Sequence, residues 1–350
     1  MLKKDGFGGS TGVGLRILFL AVLLFTVIVL STGMGYIKIS PFEVIKIVIS
    51  KISGNPELLQ GIDNVFPYVV VEVRMPRILT SAIVGAGLSI AGVIFQGILL
   101  NPLADPYTLG ISAGAAFGAS IALLLDLGFL GIYSVPIFAF MGAVATLLAV
   151  MLLSSSDGQI SSNNLILSGI IVAAILSAGI SFIKYVADEH VSIIIFWLMG
   201  SFGSKTWTDV LLISFSVSIG FLICVFFARD LNIMSLGDRS ANSLGIETGK
   251  VRVILLVTAS LVTAICVSVS GIIGFVGLII PHLMRFFTGP DNRRLIPASA
   301  LVGAILLLGA DTITRAVLPR EIPIGVLTAL IGGPFFCYIF KRRSIGITGG

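Results

Sequence analysis

Of 350 residues, 56% are hydrophobic and only 11% charged, with a mean hydropathy of +1.10; a soluble domain carries about 25% charged residues, so most of this surface is read as facing lipid. The net charge of +5 does not point to nucleic acid, because the basic residues fall between apolar runs and at both ends (Lys3, Lys4, Lys341, Arg342, Arg343) rather than on one face.

A membrane-spanning helix needs about 20 mostly apolar residues. The first run, 13–34, is too long for the apolar region of a signal peptide and lacks an A-x-A-like exit, so it is read as an uncleaved first span. Spans are expected near 14–35, 78–100, 109–126, 132–153, 164–186, 208–228, 251–271, 275–288, 296–316 and 324–340, ten in all with the eighth short. The expectation is an all-α polytopic protein in which residues 1–350 form a single membrane domain. An even number of spans puts both termini on one side. With that side cytoplasmic, thirteen Lys and Arg fall inside and nine outside, five of the nine on the long segment 36–77.

Two segments between spans stand out. Phe42, Ile45, Ile49 and Ile52 form a helical stripe suited to an external helix lying on the membrane. Residues 229–252 are the longest polar inner segment, either a docking place for a cytoplasmic partner or a solvated loop. Ser89-Ile-Ala-Gly92 with Pro102 recurs as Ser268-Val-Ser-Gly271 with Pro281, 179 residues on. That offset crosses five spans and would relate two inverted halves, a pattern common in transporters, with chance similarity as the competing account. The 40 glycines spread through the spans suit close helix packing in lipid.

Several constellations could carry chemistry. Arg74-Met-Pro-Arg77 stands at the outer mouth of the second span, with both arginines on one helix face and the proline in the first turn. It could receive carboxylates of an external partner, or snorkel to the boundary. Asp311 and Arg315, four apart, are read as a pair that offsets an intramembrane charge or presents Arg315 outward. The two prolines of Asn101-Pro-Leu-Ala-Asp105-Pro break the helix at the inner end, as a pathway-lining turn would. His282 beside Pro281 is read as a packed group rather than a ligand. Cys224, Cys266 and Cys337 form no C-x-x-C or His/Cys cluster, so they read as buried thiols, not as a disulfide framework or a metal site. The sequence has no G-x-x-x-x-G-K-[ST] phosphate loop and no run of intramembrane carboxylates, so the energy source is expected elsewhere.

Taken in order, Arg74-Met-Pro-Arg77, Gly92-x-x-x-Gln96 with Asn101-Pro-Leu-Ala-Asp-Pro, and Phe196-Trp-Leu-Met-Gly-Ser201 form a pattern. Ser243-Leu-Gly-Ile246, Gly271-Ile-Ile-Gly-Phe-Val-Gly-Leu-Ile-Ile-Pro-His282, Gly289-Pro-Asp-x-Arg-Arg294 and Leu327-Thr-Ala-Leu-Ile-Gly-Gly-Pro-Phe335 continue it. From about Arg74 to Arg343 the chain resembles the FecCD-type permeases of ATP-binding-cassette importers for iron siderophores, haem and cobalamin. The resemblance implies a homodimer in the cell inner membrane, ten spans per subunit and both termini cytoplasmic. It implies two ATPase subunits that bind the ATP, and an extracytoplasmic substrate-binding protein. No cofactor is implied in this chain, which would not itself be an enzyme. Arg74, Arg77 and Arg315 match the outer arginines that receive the binding protein; Asn101, Leu103, Ser161 and Ser162 match cytoplasmic gate positions. Ala241, Leu244 and Gly245, within the coupling segment 237–250, match the pair of short helices that fit into the ATPase. The family often has Gly-Pro-Ile-Gly-Phe where this chain has Gly271-Ile-Ile-Gly-Phe275, which leaves the local bend open. The function implied is import of a metal chelate by alternating access. The alternative is a secondary transporter driven by an ion gradient, for which only Asp311 offers a buried carboxylate.

Overall fold

In lipid, a backbone N–H or C=O has no water to turn to, so an apolar chain satisfies those groups within helices. The computed structural model describes residues 10–156, 159–317 and 321–347, so the basic residues Lys3, Lys4 and Arg320 lie outside the described residues. The first half holds α1 (Ser10–Gly33), α2 (Pro41–Ser53), α3 (Val65–Tyr68), α4 (Met75–Ile98), α5 (Ile111–Leu124), α6 (Ser134–Ser154) and α7 (Ser162–Val186). The second holds α8 (Val191–Leu198), α9 (Trp207–Phe226), α10 (Ala228–Met234), α11 (Asp238–Ser243), α12 (Thr248–Ser270), α13 (Val276–Thr288), α14 (Asn292–Ala316) and α15 (Ile324–Ile347). Among the described residues the extended pairing is a two-residue antiparallel ladder, Ser155–Ser156 against Gln159–Ile160. The chain is all-α.

Among the described residues, seven helices are long and apolar enough to cross a membrane, and the shorter apolar helices Ile111–Leu124, Val276–Thr288 and Ile324–Tyr338 complete the ten expected positions. The eighth is short as expected: 13 residues at about 1.5 Å each reach roughly 20 Å, against a hydrocarbon core of about 30 Å.

The second span differs from its expected start. A π-helical turn, Val69–Arg74, joins α3 to α4, so Val65–Ile98 is one helix of 34 residues, about 51 Å long. Proline normally ends a helix because it lacks an N–H and its ring meets the carbonyl four residues back. Here the wider turn before Pro76, closed by Met75 N–H donating to Val70 O, lets the helix pass through it. Arg74 and Arg77 therefore stand within a continuous helix, not at its mouth.

α4 is the buried axis of the bundle, packed against α14, α12, α9 and α13. Glycine makes those approaches: a Cβ at Gly92 would overlap the carbonyl of Gly277 on α13, and one at Gly85 the carbonyl of Gly303 on α14. This is the small-residue packing expected of helices that gain dispersion contacts rather than hydrophobic burial in lipid. α1 is peripheral; its most apolar window is only 6% buried.

α2 has two faces. Val44 and Ile47 pack inward against Val70 and Val71, while Phe42, Ile45, Ile49 and Ile52 of the expected stripe stay exposed. Ser40 and Glu43 form a capping box at its start, and these hydrogen bonds with Ser40 hold the Glu43 carboxyl below its usual pKa. The repeat motif occupies unlike places: Ser89–Gly92 is the middle of α4, whereas Ser268–Gly271 is the end of α12. Cys224 and Cys266 are buried, but Cys337 is exposed on α15, contrary to the reading of all three as buried thiols. It lies on a helix that packs only lightly on the bundle, against α13 and α14.

Candidate functional site

At one end of the bundle Arg74 and Arg315 converge on the C-terminus of α1. The last four carbonyls of a helix lack intrahelical donors and carry the negative end of its dipole. Arg74, only 7% exposed, donates through Nη1 to Thr32 O at 2.8 Å and Gly33 O at 3.2 Å, and through Nη2 to Ile37 O. Arg315 donates to Ser31 O at 2.8 Å and to Met34 O. Gly35 lies between them: a Cβ there would stand 2.8 Å from Arg74 Nη2 and 3.0 Å from Arg315 Nη1.

Arg77 has other partners. Its Nε and Nη2 donate to Asp311 at 3.1 and 2.9 Å, and its Nη1 donates to Glu321 at 3.1 Å. The i,i+4 pairing of Asp311 with Arg315 is thus corrected: the ion pair is Arg77–Asp311, between α4 and α14. Tight α4–α14 packing brings Arg77 alongside the 1% exposed carboxylate, while Arg315 turns to α1.

The opposite end holds the broken backbone. After α4 the chain enters the left-handed region at Leu100 (φ 51) and runs irregularly to Gly110. Asn101 Oδ1 accepts from Leu103 N at 2.9 Å, and Asp105 Oδ1 accepts from the N–H groups of Tyr107 and Thr108. Leu103 is 40% exposed. Ser161 caps α7, accepting from Asn164 N, and Ser162 Oγ donates to Ile98 O at 3.0 Å, tying the start of α7 to the end of α4.

The segment 237–250 lies beside this turn. α10 and α11 are two short helices, and Arg252 of α12 bridges to Asp238 at 2.7 Å. Ala241 is fully buried and Gly245 takes φ 84, a left-handed turn open to glycine. Leu244 is 63% exposed and Leu236 66%. The two exposed leucines flank α11 on an otherwise polar segment. A cleft of about 910 Å³ joins the regions, lined by Leu100, Ser161, Ser162, Asp238, Asn242 and Lys250 among others. The gate-matching serines and the coupling-matching segment therefore share one cavity wall.

Between the two ends, the loop at Gly200, the end of α12 at Gly271 and the start of α15 at Gly325 cross at glycines. Ser201 N donates to Ser270 O at 2.8 Å and Gly325 N to Met199 O at 2.9 Å. A Cβ at Gly200 or Gly325 would crowd Ile272 O, and one at Gly271 would overlap Trp197 O. The bend at 271–275 forms without the family proline. Tyr107 Oη accepts from Ile273 N at 3.2 Å and donates to Ile273 O, so one hydroxyl serves both backbone groups freed by the bend. Gln96 adds a further tie, donating to Leu278 O at 3.2 Å. His282 stacks edge-on against Phe286 at 5.5 Å. Among the described residues no group of three His, Cys, Asp or Glu could hold a metal ion.

Sequence reasoning missed Tyr107, Glu321 and the Gly200–Gly271–Gly325 crossing. The glycines were visible, each beside a motif break, but their mutual contact was not. Glu321 sits 244 residues from Arg77 and carries no local pattern.

Apolar helices at ten positions around a buried axis, with irregular backbone where three segments cross, define a polytopic membrane protein of the kind that carries a pathway. The chain belongs to the FecCD transport family, whose model matches residues 22–342. The Fe(3+)-citrate import system permease protein YfmE of Bacillus subtilis is 39% identical over 333 residues, covering 94% of this chain and 96% of its own. The cobalamin import system permease protein BtuC of Halobacterium salinarum is 39% identical over 285 residues, covering 81% of this chain and 76% of its own. A solved structure described as an inward-facing conformation of a metal-chelate type ABC transporter superposes with a TM-score of 0.82 at 34% identity, covering 93% of this chain and 99% of that one.

Proposed function

We propose that this chain is the membrane-spanning subunit of an ATP-binding-cassette importer that moves a metal chelate, a ferric siderophore or haem ahead of cobalamin, into the cytoplasm. The observation that carries it is the shared cleft: Ser161 and Ser162 at the start of α7, and Asp238 and Asn242 of the segment 237–250, line one wall. A push on α11 from a separate ATPase is then transmitted to the turn at Asn101 and Leu103 through Arg252–Asp238 and the Ser162–Ile98 bond. Two copies form the pathway between them, both termini face the cytoplasm, and two ATPase subunits hold the ATP. Relatives named for ferric citrate and cobalamin support the substrate class.

At the other end, Arg74, Arg77 and Arg315 are the proposed receiving site for carboxylates of an extracytoplasmic binding protein. Glu321, 58% exposed, occupies Arg77 in the free chain and gives way to the incoming carboxylate. Reversing the charge of Arg74 would also uncap α1, so Glu321→Gln is the cleaner probe. It is expected to tighten binding-protein affinity by about two- to fivefold, the worth of an exposed ion pair. Unchanged or weaker binding would count against docking at Arg77.

The deciding experiment is uptake of labelled ferric siderophore, haem and cobalamin into proteoliposomes holding this chain, its ATPase and its binding protein. Uptake of one cargo that needs internal-facing ATP is expected. Uptake driven by a proton or sodium gradient without ATP would favour the secondary-transporter reading instead.

A further inference from the structure

A cleft of about 550 Å³ lies where α1 leans on α13 and α14, at the end of the bundle away from the arginine cluster at Arg74. Its walls are apolar: Leu20 is half-buried, while Phe19, Phe286 and Phe287 are each more than 60% exposed and open to the surroundings of the bundle. Its volume is that of a small-molecule site. Two arginines are among its lining residues, Arg16 on α1 and Arg294 on α14.

Their chemistry sets the occupant. Arg16 donates from Nη1 to Phe287 O at 3.0 Å, which fixes the head of the side chain against α13 and uses one of its N–H donors. No carboxylate pairs with Arg16 among the described residues. Arg294 reaches Asp291 only at 4.0 Å and is 43% exposed. The Asp291 carboxylate that faces it is already engaged, accepting from Asn232 at 2.7 Å and from Arg293 at 3.2 Å. Two guanidinium forks beside an apolar trough on a membrane-facing surface match a phosphodiester with an acyl chain attached. Basic pockets between helices at the membrane boundary bind anionic headgroups by the same physics.

We propose that this cleft is a binding site for one anionic phospholipid, its phosphate between Arg16 and Arg294 and an acyl chain along Phe19 and Phe286. The site wedges α1 against α13 and α14 and is separate from any pathway for a transported cargo.

Native mass spectrometry of the purified full chain in mixed micelles tests this, with phosphatidylglycerol and phosphatidylcholine of identical acyl chains as the probes. One phosphatidylglycerol is expected to be retained in preference to phosphatidylcholine. The Arg16→Gln/Arg294→Gln double variant should lose that preference by about tenfold or more, while Arg229→Gln, on an exposed position of α10 outside the cleft, keeps it. Arg294→Gln alone should lose part of it, and it carries the test if the double variant does not fold. Equal retention of the two lipids, a preference that survives the arginine variants, or displacement of the lipid by equimolar glycerol phosphate would overturn the proposal.

Discussion

Replacing Asp311 by alanine is the sharpest test of the Arg77–Asp311 arrangement. The carboxylate is 1% exposed and the guanidinium 14%, and they meet through two nitrogens at 2.9–3.1 Å. Taking away one partner leaves a buried charge whose remaining contact is the exposed Glu321. Breaking a buried pair in this way destabilises by about 3–5 kcal/mol. Removing both, as Arg77→Met with Asp311→Leu, should instead come within roughly 1 kcal/mol of the parent or exceed it, because no charge is then left to desolvate. Unfolding titrations in mixed dodecyl-sulfate micelles would read Asp311→Ala and the cycle made by the parent, Arg77→Met, Asp311→Leu and their double. A loss below about 1 kcal/mol for Asp311→Ala, or additive single effects, would mean that Arg77 is hydrated and available rather than held inside.

Three further outcomes follow from the packing and the caps. Gly92→Leu should abolish recovery of monodisperse protein, since the added carbons meet the backbone of Gly277, whereas Gly97→Ala, which meets only the Leu231 side chain, should be tolerated. Tyr107→Phe leaves the N–H and C=O of Ile273 without their shared hydroxyl. A loss of about 1–3 kcal/mol is expected in the same titration, and an unchanged midpoint would dismiss the latch. Burial acts to raise the Asp291 pKa, but hydrogen bonds from Arg293 and Asn232 hold it below the usual value. A carboxyl depressed in the folded state stabilises above its unfolded pKa, about 3.9, and loses that contribution as pH falls through the folded one. Asp291→Asn should therefore flatten the decline in thermal stability below about pH 4, and an identical decline would show that Asp291 contributes nothing there.

What the sequence determined by itself was the solvent, the element type and the order of the spans. Scarcity of charge and apolar runs of membrane length leave few alternatives to helices in lipid, and all ten expected positions are helical. Short-range chemistry was legible too: the stripe at Phe42, Ile45, Ile49 and Ile52, the break at Asn101-Pro, and the polar segment 229–252. Each depends on residues a few positions apart. Tertiary structure alone decided the partners of the charges. Local spacing pairs Asp311 with Arg315, but close α4–α14 packing delivers Arg77 to Asp311 and turns Arg315 to the end of α1. It also decided that Pro76 would sit inside a helix, because a π turn relieves the clash that proline otherwise makes. The bend at Ile273 holds without its proline because Tyr107, 166 residues away, supplies the missing bonds. In lipid a polar group takes whichever partner the packing brings within reach, and that reach crosses the bundle rather than following the chain.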